Sequence, residues 1–358
     1  MPDINETLGA IRDDFRRNLN LKVILDRFNI DISFSYLNLD LRCPILIAPG
    51  PLTQSLSRIR EAADTGYGGV VLKSVVGEDP HGNASMKMLR KRPTFARWVY
   101  DDEGNPIFHW NGGLDLRDFR EYLKFAREAF RFGRERDFPV IPSFLCHLPK
   151  SLDEEWRVEE WEYTTKMLVD SASTYFGDLP VIVEIDFCPF LKRERLAVDR
   201  EVVLRWYREA PKLVKESSSN VQVVPKLLNL DFGLDFQMDM IKAARDGGAD
   251  GIVIANRFFR KYTVKDTGET YFTAHGGMEL RLLNQRQIRE ARRITDMPIS
   301  ATGGTYSGRH IIEYLSLGAQ NVQVLTYVMK RGFKEAFEDL IFNPKDGFVK
   351  LILEGEIG

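Results

Sequence analysis

The chain has 358 residues, 50 basic against 52 acidic, with a formal charge of −2 at pH 7. Its 44% hydrophobic and 28% charged residues suit an ordinary globular protein, and the near-neutral balance offers no field to gather a polyanion, so no nucleic-acid partner is expected. No apolar run approaches the roughly 20 residues of a membrane helix.

The first residues, MPDINETLGAIRDD, lack a basic flank followed by an apolar block. Cys43, Cys146 and Cys188 are too few and too scattered for a disulfide framework or a thiolate metal site. No metal and a reducing, cytoplasmic setting are expected. Residues 1–30 read as one or two amphipathic helices, with Leu8, Ile11, Phe15 and Leu19 at helical spacing. They are expected to form a cap across the bottom of the domain that follows, residues 31–358.

From there, apolar strand-sized runs alternate with helical stretches. The strands are predicted at PILIAP (44–49), GVVLK (69–73), PVIPSFL (139–145), PVIVEID (180–186), VQVVPKLL (221–228), DGIVIA (250–255), PISATG (298–303) and NVQVL (321–325). Runs without polar alternation suit strands buried on both faces, as in parallel sheets. Helices are predicted at 55–65, 116–136, 154–175, 201–216, 236–246, 285–295, 308–317 and 334–341, with Ser55, Asp153, Asp199, Asp235 and Ser307 as capping residues. Strict alternation of eight strands and eight helices predicts a (β/α)8 TIM barrel in one domain. A doubly wound sheet is disfavoured because no G-x-G-x-x-G follows the first strand.

Two long segments interrupt this pattern. Residues 74–138 separate strands two and three, and residues 256–297 contain Thr267-Gly268, a turn suited to a small hairpin. Insertions after strands two and six fall on the C-terminal face, where barrel enzymes build their sites. On that face Ala301-Thr302-Gly303-Gly304-Thr305 follows strand seven and Thr326 follows strand eight. These two loops often bind phosphate through backbone N–H groups and a helix N-terminus; the bland alternative is two ordinary tight turns. Lys73 and Lys226 end apolar strands, and a buried ammonium needs an anion, a carbonyl or a cofactor oxygen. A structural ion pair would satisfy them equally. Cys188, after strand four, is either a base or nucleophile or a small buried residue. Asn256 ends strand six and Asn111 lies in Trp110-Asn111-Gly112-Gly113-Leu114; either suits a hydrogen bond to a heterocycle or the support of a loop.

Assembled in order, PILIAPGPLT, GYGGVVLKSV, the NGGL turn, EIDFCP, VVPKL, GADGIVIAN, HGGM and SATGGTYSGRHIIEYLSLGAQNVQVLT resemble the dihydroorotate dehydrogenase family of flavin mononucleotide (FMN) barrels, with the related dihydropyrimidine dehydrogenase domain. The similarity spans residues 31–341, and the last stretch is its most specific part. The resemblance implies that Gly303, Gly304 and Thr326 hold the FMN phosphate, that Ala48 and Gly50 lie against the ring with Lys73 and Ser74 beside it, and that Ser143 and Gly277 make further flavin contacts. It implies Lys226 at the N1/O2 edge, stabilising the reduced flavin. Cys188 then stands where the family's soluble members keep their catalytic base, and Lys73, Asn111, Gly113, Leu114 and Asn256 fall in the substrate clamp.

Departures from the family pattern accompany it. Asp186 replaces an asparagine, the cysteine motif is one residue shorter, and Phe190 replaces the asparagine after Cys188-Pro189. Arg257 stands where a small hydroxyl residue is usual, and Leu325 replaces a glycine. An aspartate facing a carboxylate-bearing substrate is repulsive, so the expected activity is hydride transfer from a dihydropyrimidine or similar cyclic compound to FMN. The rivals are dihydroorotate dehydrogenase proper, an RNA dihydrouridine synthase, a non-redox phosphate-binding barrel and a flavin-binding protein without turnover. The acceptor, an iron–sulfur partner subunit, fumarate, quinone or oxygen, stays open, as does a homodimer.

Overall fold

In the computed structural model all residues are described except 1–2, 19–20, 91–94, 101–103, 105, 112–113, 189, 193–194, 197–198, 230–231, 264–266 and 357–358. The eight predicted strands are present: β1 Ile45–Ile47, β2 Gly69–Val71, β3 in two pieces, Val140–Ile141 and Ser143–Leu145, β4 Val181–Ile185, β5 Val221–Pro225, β6 Ile252–Ile254, β7 Ile299–Thr302 and β8 Asn321–Val324. Pro142, with no N–H to give, separates the two pieces of β3. All pairings are parallel. β1 pairs with β2 and β8, β2 with β3, β3 with β4, β4 with β5, β6 with β7 and β7 with β8. Between β5 and β6 a bridge of Lys226 with Val253, supported by Leu227 N donating to Val253 O at 3.0 Å, closes the ring. The barrel follows from burial on both faces: inward side chains fill its interior and outward ones meet the helices.

The helices are α1 Leu56–Thr65, α2 Phe119–Arg136, α3 Val158–Phe176, α4 Arg200–Ser217, α5 Leu234–Asp246, α6 Glu279–Ala291, α7 Gly308–Ser316 and α8 Phe333–Phe342. Ser55, Asp199 and Ser307 cap α1, α4 and α7 as expected, each accepting from backbone N–H groups of the first turn. The other two caps are corrected. Asp153 lies ahead of α3, whose N-cap is Arg157, and Asp235 lies inside α5, capped by Gly233. An acidic residue is favourable anywhere in the first turn because of the helix dipole, so it marks a neighbourhood rather than a cap position. Asp118 caps α2 instead, accepting from Glu121 N at 2.8 Å.

The N-terminal region forms helices Ile4–Asn18 and Leu21–Arg27. Leu8, Ile11 and Phe15 are buried, and the Phe15 ring meets Phe337 and Phe342 of α8 at 5.7 and 4.9 Å; Leu19 lies outside the described residues. These helices therefore lean on the outer helix α8. The bottom of the barrel is met by a hairpin, Phe34–Tyr36 with Leu39–Leu41, where Asn38 Nδ2 donates to Pro180 O just ahead of β4 at 2.7 Å. A three-residue strand is too short to show alternation, so the sequence carries no periodic signal for this hairpin.

Both insertions contribute hairpins. Phe258–Thr263 pairs with Thr270–Gly276 around the expected turn, and Phe95–Tyr100 pairs with Pro106–Asn111. The two hairpins join through His275 opposite His109, making a four-stranded antiparallel sheet. No described helix is long and apolar enough to cross a membrane.

One contact controls how α7 seats. A Cβ on Gly308 would stand 2.0 Å from Phe348 N and 2.4 Å from Gly347 C, where the chain enters the helix Phe348–Leu353. Backbone cannot yield as a side-chain tip can. Gly308→Ala is expected to lower stability by about 1–3 kcal/mol, seen as a drop in the midpoint of thermal unfolding. Gly9→Ala, in a helix with nothing within 4 Å, is expected to leave it unchanged or raise it.

Candidate active site at the C-terminal rim

The C-terminal ends of the strands converge on a cleft. Its walls include Ala48 after β1, Lys226 after β5, Asn256 and Arg257 after β6, Gly276 and Gly277 at the end of the hairpin, Thr302 to Tyr306 at and after the end of β7, and Gln323 to Tyr327 along and after β8. Of the residues singled out from sequence, the structure thus places Ala48, Lys226, Asn256, Gly277, Gly303, Gly304 and Thr326 on one cleft. Gly50 is buried against the Leu325 side chain.

Gly303 and Gly304 adopt φ of +91° and +64°, a left-handed backbone that costs other residues about 1–2 kcal/mol each. The loop they form turns between β7 and the start of α7. Within it the Thr305 hydroxyl is buried and, among the described residues, has no hydrogen-bond partner. A buried hydroxyl left unpaired costs free energy, so such an atom points to a ligand.

Lys73, Ser74 and Ser143 form a polar patch on the same rim. Ser74 Oγ donates to Asp186 Oδ2 at 3.1 Å, so the 2.8 Å contact between Ser143 and Ser74 has Ser143 as donor. Asn256 Nδ2 donates to Asp186 Oδ1 at 3.1 Å. Asp186 therefore gathers residues that follow β2 and β6 around one carboxylate. Lys73 Nζ and Arg257 Cζ lie 5.6 and 4.8 Å from the ring centre of Trp110, which neither lysine nor arginine signals in the sequence. Leu114 is buried, its N–H given to Leu89 O at 2.9 Å, and acts as core. Gly113 and the Asn111 side chain lie outside the described residues, as does the Phe190 side chain.

Electrostatics in this patch follow from burial. Desolvation pushes the Lys73 ammonium down to about 8; Asp186 and Asp115 oppose this, while Arg257 and Lys226 add to it. Desolvation likewise lowers Arg257 to about 10, against the pull of Asp186 and Cys188. Cys188 is half-buried in the loop after β4, within electrostatic reach of Arg257. Lys73, Arg257 and Lys226 thus share this rim with the carboxylates of Asp186 and Asp115.

No family model matches the chain. Individual proteins do. It is 24% identical over 298 residues to the catalytic subunit of dihydroorotate dehydrogenase B (NAD(+)) of Pyrococcus horikoshii, covering 81% of this chain and 84% of that one. To the NAD-dependent dihydropyrimidine dehydrogenase subunit PreA of Escherichia coli K12 it is 23% identical over 325 residues, 85% of this chain and 70% of the relative. Dihydroorotate dehydrogenase A (fumarate) of Limosilactobacillus reuteri gives 25% over 292 residues, 80% and 83%. The chain is dihydroorotate/dihydropyrimidine dehydrogenase-like. Within this dehydrogenase-like barrel, Asp186 and Arg257 are where the sequence already parted from the pattern, and the structure shows them on one rim, interacting with each other. Trp110 is the rim residue that sequence reasoning passed over. Its only signal was its place next to Asn111 in a long insertion.

Proposed function

We propose that the protein is an FMN-dependent oxidoreductase that removes hydrogen across a C–C bond of a cyclic substrate, a dihydropyrimidine or a similar ring, with Cys188 as the base. The observation carrying this reading is the shared cleft: a left-handed glycine pair with an unpaired buried hydroxyl at one end, and Lys226 on the same walls. These features fit FMN. Gly303 and Gly304 let backbone approach the phosphate, and the Thr305 and Thr326 hydroxyls supply further donors.

Bound FMN would supply the redox chemistry by accepting a hydride. The residues do the remaining work. Lys226 places a positive charge in the cleft to offset negative charge that develops there. Cys188 takes the proton from the carbon next to the hydride donor, and the nearby Arg257 cation is the kind of neighbour with which a thiol serves as a base. Asp186, held by Ser74 and Asn256, presents an acceptor edge to substrate N–H groups. A second reading, dihydroorotate as the substrate, is favoured by Lys73 and Arg257 flanking Trp110, because two cations outweigh Asp186 and suit a substrate carboxylate. The relatives' names carry different acceptors, NAD(+) and fumarate; a soluble acceptor or an electron-accepting partner subunit would complete the turnover.

Anaerobic mixing of the yellow protein with dihydroorotate, dihydrouracil and dihydrothymine decides between these. Bleaching by one of the uncharged rings is the expected result, and bleaching by dihydroorotate alone establishes the second reading. A protein that retains FMN but is bleached by no dihydropyrimidine, or one that binds no flavin, refutes the proposal.

A further inference from the structure

The barrel interior holds an acidic side chain that the proposed chemistry does not use. Glu184 of β4 is 1% exposed. Its Oε1 accepts a hydrogen bond from Gln323 Nε2 of β8, on the far side of the ring. Gln323 Nε2 also donates to Ser300 Oγ of β7 at 3.1 Å, and Ser300 Oγ donates to Asn321 Oδ1 at 2.6 Å. Gln323 and Lys226 line the cleft, so this network reaches the cleft through Gln323. Among the described residues, Glu184 Oε2 and Gln323 Oε1 have no hydrogen-bond partner. An ionised carboxylate with one oxygen unpaired in a dry interior is costly, and a proton relieves it.

The charges around Glu184 come from each neighbouring element. Burial is the largest influence and pushes its carboxyl up to about 7; Lys226 at the end of β5 and the Gln323 hydrogen bond pull it down, and Asp186 on its own strand pushes it up. Tyr36, from the hairpin below, is raised by burial and then by Glu184. Lys73 acts on the same set, through Asp186 and Lys226.

We propose that Glu184 is a positioning residue that sets the effective charge of Lys226 in the cleft, and that negative charge arriving beside Lys226 draws a proton from solvent onto Glu184. Ionised Glu184 offsets the Lys226 cation; once an anion engages Lys226, less of its field reaches Glu184, and the protonated form is favoured. The coupling to Lys226 belongs to the protein alone, whereas its consequence for flavin rests on the proposed function.

Two measurements separate these. The first is the carboxyl titration of the full chain by infrared difference spectroscopy, wild type against E184Q, which keeps the acceptor for Gln323. A midpoint near neutrality is expected, and K226M should move it up by about one unit or more. A midpoint in the ordinary carboxylate range, or one that K226M leaves in place, overturns the proposal; comparing K226M directly with wild type gives the same answer if E184Q folds poorly. The second is the flavin midpoint potential against pH. Wild type and E184Q should agree at acid pH, where residue 184 is neutral in both, and E184Q should lie higher at alkaline pH, where only wild type carries the offsetting charge. Parallel curves overturn the redox consequence. A chain that takes up no flavin refutes the proposed function, and the infrared titration still decides Glu184.

Discussion

Substituting Cys188 by alanine should slow reduction of the bound flavin by substrate about 10²–10⁴-fold, with flavin content and thermal midpoint unchanged. Under the proposed mechanism the proton at the carbon next to the hydride donor then loses its acceptor, and water is a far weaker base. Cys188→Ser should retain little more, because a serine hydroxyl ionises far less readily than a thiol. Cys188 is half-buried in a loop beyond β4, at the edge of the core, so trimming its side chain to alanine should disturb folding little. Anaerobic stopped-flow at saturating substrate reads the step directly. An unchanged rate in both variants would remove Cys188 from the mechanism, whatever the substrate.

The second large effect is expected at Gly304. Its φ of +64° is one that side chains adopt only under strain, and a Cβ would stand 2.7 Å from Arg281 Cβ and 2.8 Å from Met278 O at the start of α6. Gly304→Ala must therefore displace the loop, and the charge-assisted hydrogen bonds it would make to phosphate are lost with it. Each such bond contributes about 1.5–3 kcal/mol, so flavin affinity should fall roughly ten- to a hundred-fold per bond lost. Flavin fluorescence released on dilution measures this. The flavin-free protein should also lose stability, by about 1–2 kcal/mol for the backbone strain and further for the overlap with Met278 O and Arg281 Cβ, seen as a lower thermal midpoint. Undiminished flavin retention would show that the loop does not hold the phosphate.

These two residues also mark what sequence reading can reach. Gly303-Gly304 was legible because glycine is the economical solution for a positive φ, and because the order of the strands placed it after the seventh. The strands were legible because a run such as PVIVEID, largely apolar on both sides of the pleat, suits a strand covered on both faces. Glu184 and Gln323 carried a signal too, as polar residues within such runs, but nothing local says which way they face. The hairpin Phe95–Tyr100 with Pro106–Asn111 gave only weak alternation, and its pairing with the strand ending at Gly276 joins segments far apart in the chain.

By itself, the sequence determined the eightfold alternation, hence the barrel and the rim on which a site would lie, because periodicity and turn chemistry are local properties. It also determined which residue types stand at the strand ends. Tertiary structure alone decided that Asp186 is shared by Ser74 and Asn256, that Lys73 and Arg257 both reach Trp110, and that Glu184 meets Gln323 across the barrel. Those meetings depend on how the ring closes and how two insertions pair. Closure sets distances between residues with no relation in sequence, and the burial it produces moves Glu184, Lys73 and Arg257 away from their ordinary ionisation.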